Sequence, residues 1–258
     1  MYIYSMPKVT FCFEDLVFDN DVSEVKIHQR ETIKPKDQFQ IQNLKWTPNQ
    51  KKFIKLALEK ETQVVLLDGP AGTSKTLLAT FCALHLLNQQ KVSDIIYMRS
   101  AVESSEARLG FLPGDADVKL QYYNMPFHDK LDELLSPTAL KNLHKDKRIS
   151  CYPVNFARGM SWNAKCVIFD ECQNSTLKEI ITVLTRMGQF SKIFLLADPA
   201  QTDLKNGNRG GFKKIYDLLN DLQSRKMGIK TFKFGPQDVV RSKLVRYLAE
   251  RFSEMASI

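Results

Sequence analysis

Val64-Val65-Leu66-Leu67-Asp68-Gly69-Pro70-Ala71-Gly72-Thr73-Ser74-Lys75-Thr76 sets an apolar run, a glycine-rich turn and a Lys-Thr pair ahead of a helix-like stretch that begins at Leu77. Short apolar runs bounded by such turns read as buried strands, so the local order is strand, turn, helix. Backbone N–H groups in a turn of this kind converge on one point, and the helix N-terminus adds a dipole that favours negative charge. The expectation is a phosphate cradle formed by Gly69, Pro70, Ala71, Gly72, Thr73, Ser74, Lys75, Thr76 and Leu77. Lys75 reaches the terminal phosphates and Thr76 offers its hydroxyl to Mg²⁺. One position departs from the pattern: the loop wants glycine just before the lysine, and this chain has Ser74. A side chain there costs on the order of 1 kcal/mol if the backbone must turn left-handed, and more if its Cβ crowds a phosphate.

Further apolar runs follow at 95–98, 166–169, 193–197 and 229–234, separated by helical patterns at 77–88, 177–185, 212–223 and 243–255. Strands alternating with helices predict an α/β fold, a parallel sheet flanked by helices with right-handed crossovers. Ligands of such sheets bind at the carboxyl ends of the strands. Asp68 onward, Arg99-Ser100, Asp170-Glu171 and Asp198 all fall at those ends. Thr47-Pro48-Asn49-Gln50 reads as an N-cap followed by proline in the first turn of another helix. Residues 1–45 differ: short strands at 9–13 and 22–27 and a polar stretch around Lys34-Pro35-Lys36-Asp37 suggest an N-terminal extension and linker. Residues 46–258 form the expected P-loop domain.

The run 166–169 ends in Asp170-Glu171, almost a hundred residues after the phosphate loop. Asp170 would hold Mg²⁺, mostly through water, and Glu171 would orient or deprotonate the attacking water. Gln201, beyond the strand at 193–197, could sense a terminal phosphate or its water, although taken alone a polar turn capping the sheet fits it better.

Five cysteines without a CxxC pair fit buried thiols in a reducing cytosol. Scattered histidines give no zinc-ligand spacing. No apolar run of about 18 residues occurs and the first residues lack the build of a signal peptide, so a cytoplasmic protein with no membrane association is expected. Net charge is +8, and from Lys205 onward 12 Lys/Arg face 5 Asp/Glu. Such a segment would attract a polyanion, or equally form a solvated helix face. In its last helix Leu244, Val245, Leu248 and Phe252 form the expected buried stripe.

Taken together, these stretches resemble the PhoH-like ATPases, a P-loop family whose RecA-like core is similar to that of superfamily 1 helicases. The resemblance runs from about Trp46 to Val245. It rests on Thr47-Pro48-Asn49-Gln50, the phosphate loop, Arg99 with Ala101-Val102-Glu103, and Leu109-Gly110-Phe111-Leu112-Pro113-Gly114-Asp115. It continues through Arg158-Gly159, Asp170-Glu171 with Gln173-Asn174, Leu184-Thr185-Arg186, Asp198 with Gln201 and Asp203-Leu204, and Asp238-Val239-Val240-Arg241. Cys172 and Ala197 replace a usual Ala and Gly. The resemblance implies ATP with Mg²⁺, Gln50 reading the adenine edge, and Arg241, ahead of Arg209, stabilising the transferring phosphoryl. It also implies a single-stranded nucleic-acid partner, RNA ahead of DNA, near Arg99, Ser100 and Arg158, and a homo-oligomer, with a hexamer suggested. Tyr123, near Tyr122 and Phe127 among cations, would stack bases. The i, i+4 spacing of Tyr123 and Phe127 fits packing on one helix face better. Three functions compete: a nucleic-acid-coupled ATPase with Lys75, Glu171, Gln201 and Arg241 as its catalytic set, a nucleotide-gated nucleic-acid-binding module with weak or no turnover, and a small-molecule kinase.

Overall fold

In a computed structural model the protein is described at residues 16–18, 25–27, 38–100, 116–202, 211–241, 244, 245, 247, 248 and 251, with side chains from 124 onward in the helix that starts at 116. Two short strands, β1 (Leu16–Phe18) and β2 (Val25–Ile27), pair antiparallel. Helix α1 (Pro48–Leu58) leads to β3 (Val64–Asp68), α2 (Lys75–Asn88) and β4 (Asp94–Arg99). Then come α3 (Ala116–Leu134), α4 (Pro137–Lys145), β5 (Ile149–Pro153), β6 (Lys165–Asp170) and α5 (Leu177–Leu184). The chain continues through β7 (Lys192–Ala197), α6 (Gly211–Leu218), α7 (Leu222–Lys226) and β8 (Ile229–Lys233).

Strands β3 to β8 form one parallel sheet in the order β5-β4-β6-β7-β3-β8. One strand, β7, therefore stands between the strand of the phosphate loop and the strand of the acid pair. Alternation along each strand divides the core in two, as a period of two requires. Val65, Leu67, Ile95, Tyr97, Ile168 and Leu196 face one side with α1, α2 and α3, while Val64, Leu66, Ile96, Met98, Val167 and Leu195 face the other with α5 and α6. Helix α2 is buried nearly all round, as a helix lodged between the sheet and outer helices must be. The expected start of α1 is present: Thr47 caps it, Pro48 occupies the first turn, and Thr47 and Gln50 close a capping box.

The sequence reading needs correction in three places. Strand β5 and helix α4 have no counterpart in the sequence reading, and of helix α3 only the turn from Tyr123 to Phe127 was read as helical. The helix expected at 212–223 is two helices, because Asp221 caps a new start by accepting the Ser224 N–H. Of the strand expected at 22–27, Val25–Ile27 is described and is a strand, while 22–24 and the strand expected at 9–13 lie outside the described residues. The described residues of 243–255 are helical, but Leu244 is 65% exposed and Leu248 37%, so the expected stripe is not buried at those two positions, while Val245 is half-buried.

A candidate nucleotide site at the carboxyl edge of the sheet

The phosphate loop leaves the end of β3, and its shape is set by two close approaches. Gly69 lies under Phe234, where an added Cβ would come within 2.9 Å of the Phe234 Cβ. Gly72 has φ +84°, and a Cβ there would meet Val239 and Arg241 side-chain carbons at 3.2 and 3.3 Å. Both positions thus require glycine. Thr73 Oγ1 donates to the Pro70 carbonyl at 2.8 Å across the loop. Ser74 caps α2 in the left-handed region, φ 65° and ψ 30°, and its side chain makes no capping hydrogen bond. The residue that departs from the loop pattern does occupy the backbone conformation that glycine adopts without strain.

Lys75 Nζ donates to the carbonyls of Gly69 at 2.6 Å and Pro70 at 3.1 Å. Burial lowers the pKa of its ammonium, against the opposing pull of Asp198, Asp170, Glu171 and Asp68. Thr76 Oγ1 donates to Asp170 Oδ2 at 2.8 Å, which joins the loop to the acid strand across the width of β7. Tyr97, from β4, donates its hydroxyl to the same Oδ2 at 3.1 Å, and its ring stacks on Phe127 of α3 at 4.5 Å. Asp170 is buried, and that burial together with Glu171 raises its carboxyl pKa against its three hydrogen-bond donors. A hydroxyl and a carboxylate sharing one spot form an all-oxygen donor pair of the kind that suits Mg²⁺.

Glu171 follows with φ 54° and ψ 38°, so the chain turns sharply off the strand at this point. Gln173 Nε2 donates to Glu171 Oε2, and Gln173 Oε1 accepts the Asp198 N–H at 3.0 Å. Burial raises the carboxyl pKa of Asp198, against Lys75 and the backbone N–H groups of Ala200 and Ala71. The Ala71 contact ties the tip of β7 to the phosphate loop.

The segment after β8 closes the site from above. Val240 N donates to the Gly72 carbonyl at 3.1 Å, and Asn49 Nδ2 holds both oxygens of Asp238 at 3.0 and 3.1 Å. Arg241 therefore lays its stem against Gly72 of its own chain. Gln50, 2% exposed, accepts the Thr47 N–H with Oε1 as part of the cap.

Other expected residues lie further out. Gln201 is exposed in the single turn that follows β7. Arg99 ends β4, and Ser100 Oγ donates to the Asn174 carbonyl at 2.6 Å. Arg158 is exposed beyond β5. Tyr123 sits in α3 with its side chain outside the described residues, as do residues 101–115, Asp203-Leu204 and Arg209. Phe127 is fully buried, so packing is its role. The sequence reading missed Tyr97, Asn49 and Asp238 as supports of the site. Tyr97 was hidden by its place in an apolar strand run, whereas Asn49 and Asp238 stood in quoted stretches without an assigned contact.

The family profile described as "PhoH-like protein" matches residues 43–253. A PhoH-like protein of Mycobacterium tuberculosis is 35% identical over 222 residues, 86% of this chain and 58% of that protein. One from Bacillus subtilis is 34% identical over 208 residues, 81% of this chain and 63% of that one. Protein PhoH of Escherichia coli is 30% identical over 193 residues, 74% and 53% respectively. The chain thus spans between about half and just under two thirds of the length of these relatives. Among solved structures, the large terminase from a thermophilic bacteriophage superposes with a TM-score of 0.50 at 12% identity, covering 80% of this chain and 49% of that one, which is a likeness of fold. With the P-loop NTPase fold, the loop-to-acid contact and the family profile in agreement, the chain belongs to the PhoH-like family.

Proposed function

We propose that the protein is an ATPase that couples Mg·ATP hydrolysis to the binding or helicase-like remodelling of single-stranded nucleic acid, RNA ahead of DNA. The observation that carries this reading is the 2.8 Å hydrogen bond from Thr76 to Asp170, which makes one site of two motifs distant in sequence. The loop amides and the α2 N-terminus bind the phosphates, and Lys75 swings from the loop carbonyls to the terminal ones. Thr76 and Asp170 would hold Mg²⁺, which would supply positive charge against the negative charge that develops on the phosphates. Glu171 orients the attacking water and takes its proton. Arg241, anchored on Gly72 of the same chain, supplies positive charge to the transferring group in cis; an arginine in that role is worth ~10³-fold or more in rate. The cap on α1 engages Oε1 of Gln50, which leaves Nε2, a donor, for a ring nitrogen of adenine.

Support for the polymer is electrostatic. Arg99 and Arg158 lie at the carboxyl edge of the sheet, and Lys213, Lys214, Arg225, Lys226, Lys233 and Arg241 are exposed in the basic segment. A single core with one such edge grips a strand best as part of a ring, and a hexamer is the assembly we propose. Steady-state ATP turnover with RNA, with single-stranded DNA and with no polymer tests the reading. RNA should stimulate it most, and the stimulated hydrolysis should disappear in Lys75→Ala and Glu171→Gln, leaving a low basal rate. Equal turnover with and without any polymer would remove the coupling. The left-handed Ser74 favours a second reading, a nucleotide-gated binding module with little turnover. That reading requires a large gain in hydrolysis in Ser74→Gly.

A further inference from the structure

We propose that Gln173 is a positioning residue whose carboxamide holds the Glu171 carboxylate in place and fastens it to the tip of β7. The inference rests on the assignment of Glu171 as the base. Gln173 is 4% exposed, set in the turn 172–174 between the ends of β6 and β7. Its Oε1 accepts the Asp198 N–H at 3.0 Å. A backbone N–H can only donate, so this contact decides which end of the carboxamide is oxygen, and the NH₂ must face the other way. There it donates to Glu171 Oε2, and its second, longer contact is the Gln201 carbonyl at 3.5 Å.

The backbone of the turn is pinned from two sides. Thr202 Oγ1 donates to the Gln173 carbonyl at 3.0 Å, and Ser100 Oγ donates to the Asn174 carbonyl at 2.6 Å. Glu171 itself stands in a left-handed conformation that persists only when its surroundings impose it. A flexible carboxylate on such a residue has several rotamers open to it. One fixed NH₂ donor, charge-assisted and sheltered from water, selects among them. Gln201, the glutamine expected near a terminal phosphate, offers Gln173 only its backbone carbonyl. The amide that touches the acid is two residues from it, on the same turn.

The test is a double-mutant cycle in the full chain, with Gln173→Met, Glu171→Ala and the pair together. Three quantities are read: kcat for ATP, the Kd for ATP by calorimetry, and the urea unfolding midpoint without nucleotide. Gln173→Met keeps the bulk and loses both the donor to Glu171 and the acceptor for the Asp198 N–H. Its kcat should fall about 10- to 100-fold, the range for loss of a hydrogen bond to a charged group. Its Kd for ATP should stay within about twofold, and in the Glu171→Ala background it should lower kcat no further. The urea midpoints should be non-additive as well. Gln173→Glu, which keeps the acceptor for Asp198 N and sets a carboxylate against Glu171, should lose at least as much kcat, and it serves if the Met variant does not fold. A kcat within about twofold of wild type in either variant overturns the proposal while leaving Glu171 as base. The same fold-loss in both backgrounds overturns it too, because a merely structural role multiplies. Wild-type turnover in Glu171→Ala refutes the base assignment and the positioning role with it.

Discussion

Two residues without glycine's freedom adopt left-handed backbone in the site, Ser74 at the start of α2 and Glu171 at the end of β6. Their circumstances differ. Glu171 gains a sharp turn off the strand, in which its carboxylate accepts from the Gln173 carboxamide. Ser74 gains nothing visible, since its hydroxyl makes no capping bond. Ser74→Gly should therefore stabilise the protein by about 1 kcal/mol, the cost of an L-residue in that region. For a chain of this size that is a rise of roughly 2–4 °C in Tm by calorimetry. Nucleotide affinity should rise several-fold and turnover change little. An unchanged or lower Tm would mean that the serine has a compensating contact.

The clamp from α1 to the segment after β8 is what sets Arg241 over the loop. Asn49 grips Asp238 through both oxygens, and Gly235 N donates to the same carboxylate at 2.9 Å. Asn49→Ala leaves a buried carboxylate short of donors and should cost about 1–3 kcal/mol in urea unfolding. Turnover should fall with it, because Val240 and Arg241 hang from that clamp. Normal turnover in the variant would detach Arg241 from the mechanism. At the far end of α1, Lys192 Nζ donates to the carbonyls of Ala57 and Glu59, and burial lowers its pKa. The folded state then releases this proton at lower pH than the unfolded state does, so the unfolded state binds more protons in between and stability rises with pH. Measured against Lys192→Met, wild type should gain stability as pH rises from the lowered folded-state value toward about 10.5, the ordinary lysine value. A gap that is flat or narrows with pH would contradict this. The elements that the sequence hid have physical reasons for hiding. Helix α3 carries Pro126 inside it, which a local reading takes as an end. Strand β5 is an edge strand, half-buried, preceded by Lys145-Asp146-Lys147-Arg148 and ended by Pro153, and so resembles a loop. The four inner strands were legible because burial on both faces leaves them continuously apolar. The loop and the acid pair were legible because their chemistry is local. The clamp was not, since it joins residues 189 apart.

Across the whole molecule the sheet brings its chemistry to one edge, with β7 as the spacer that lets Thr76 and Asp170 meet. Lys75, Asp170, Glu171 and Asp198 converge there, while the opposite edge holds structural pairs such as Asp94 with Lys165 and Arg148. Among the described residues no helix is long and apolar enough to cross a membrane. Every step of the chemistry requires the loop and the acid strand to form one magnesium-nucleotide site. Calorimetric titration of ATP into the protein, with and without Mg²⁺, tests that claim in wild type and in Asp170→Asn. Magnesium should tighten ATP binding in wild type, and the tightening should vanish in Asp170→Asn while metal-free affinity is kept. Equal affinity with and without the metal in wild type, or the same tightening in the variant, would contradict it.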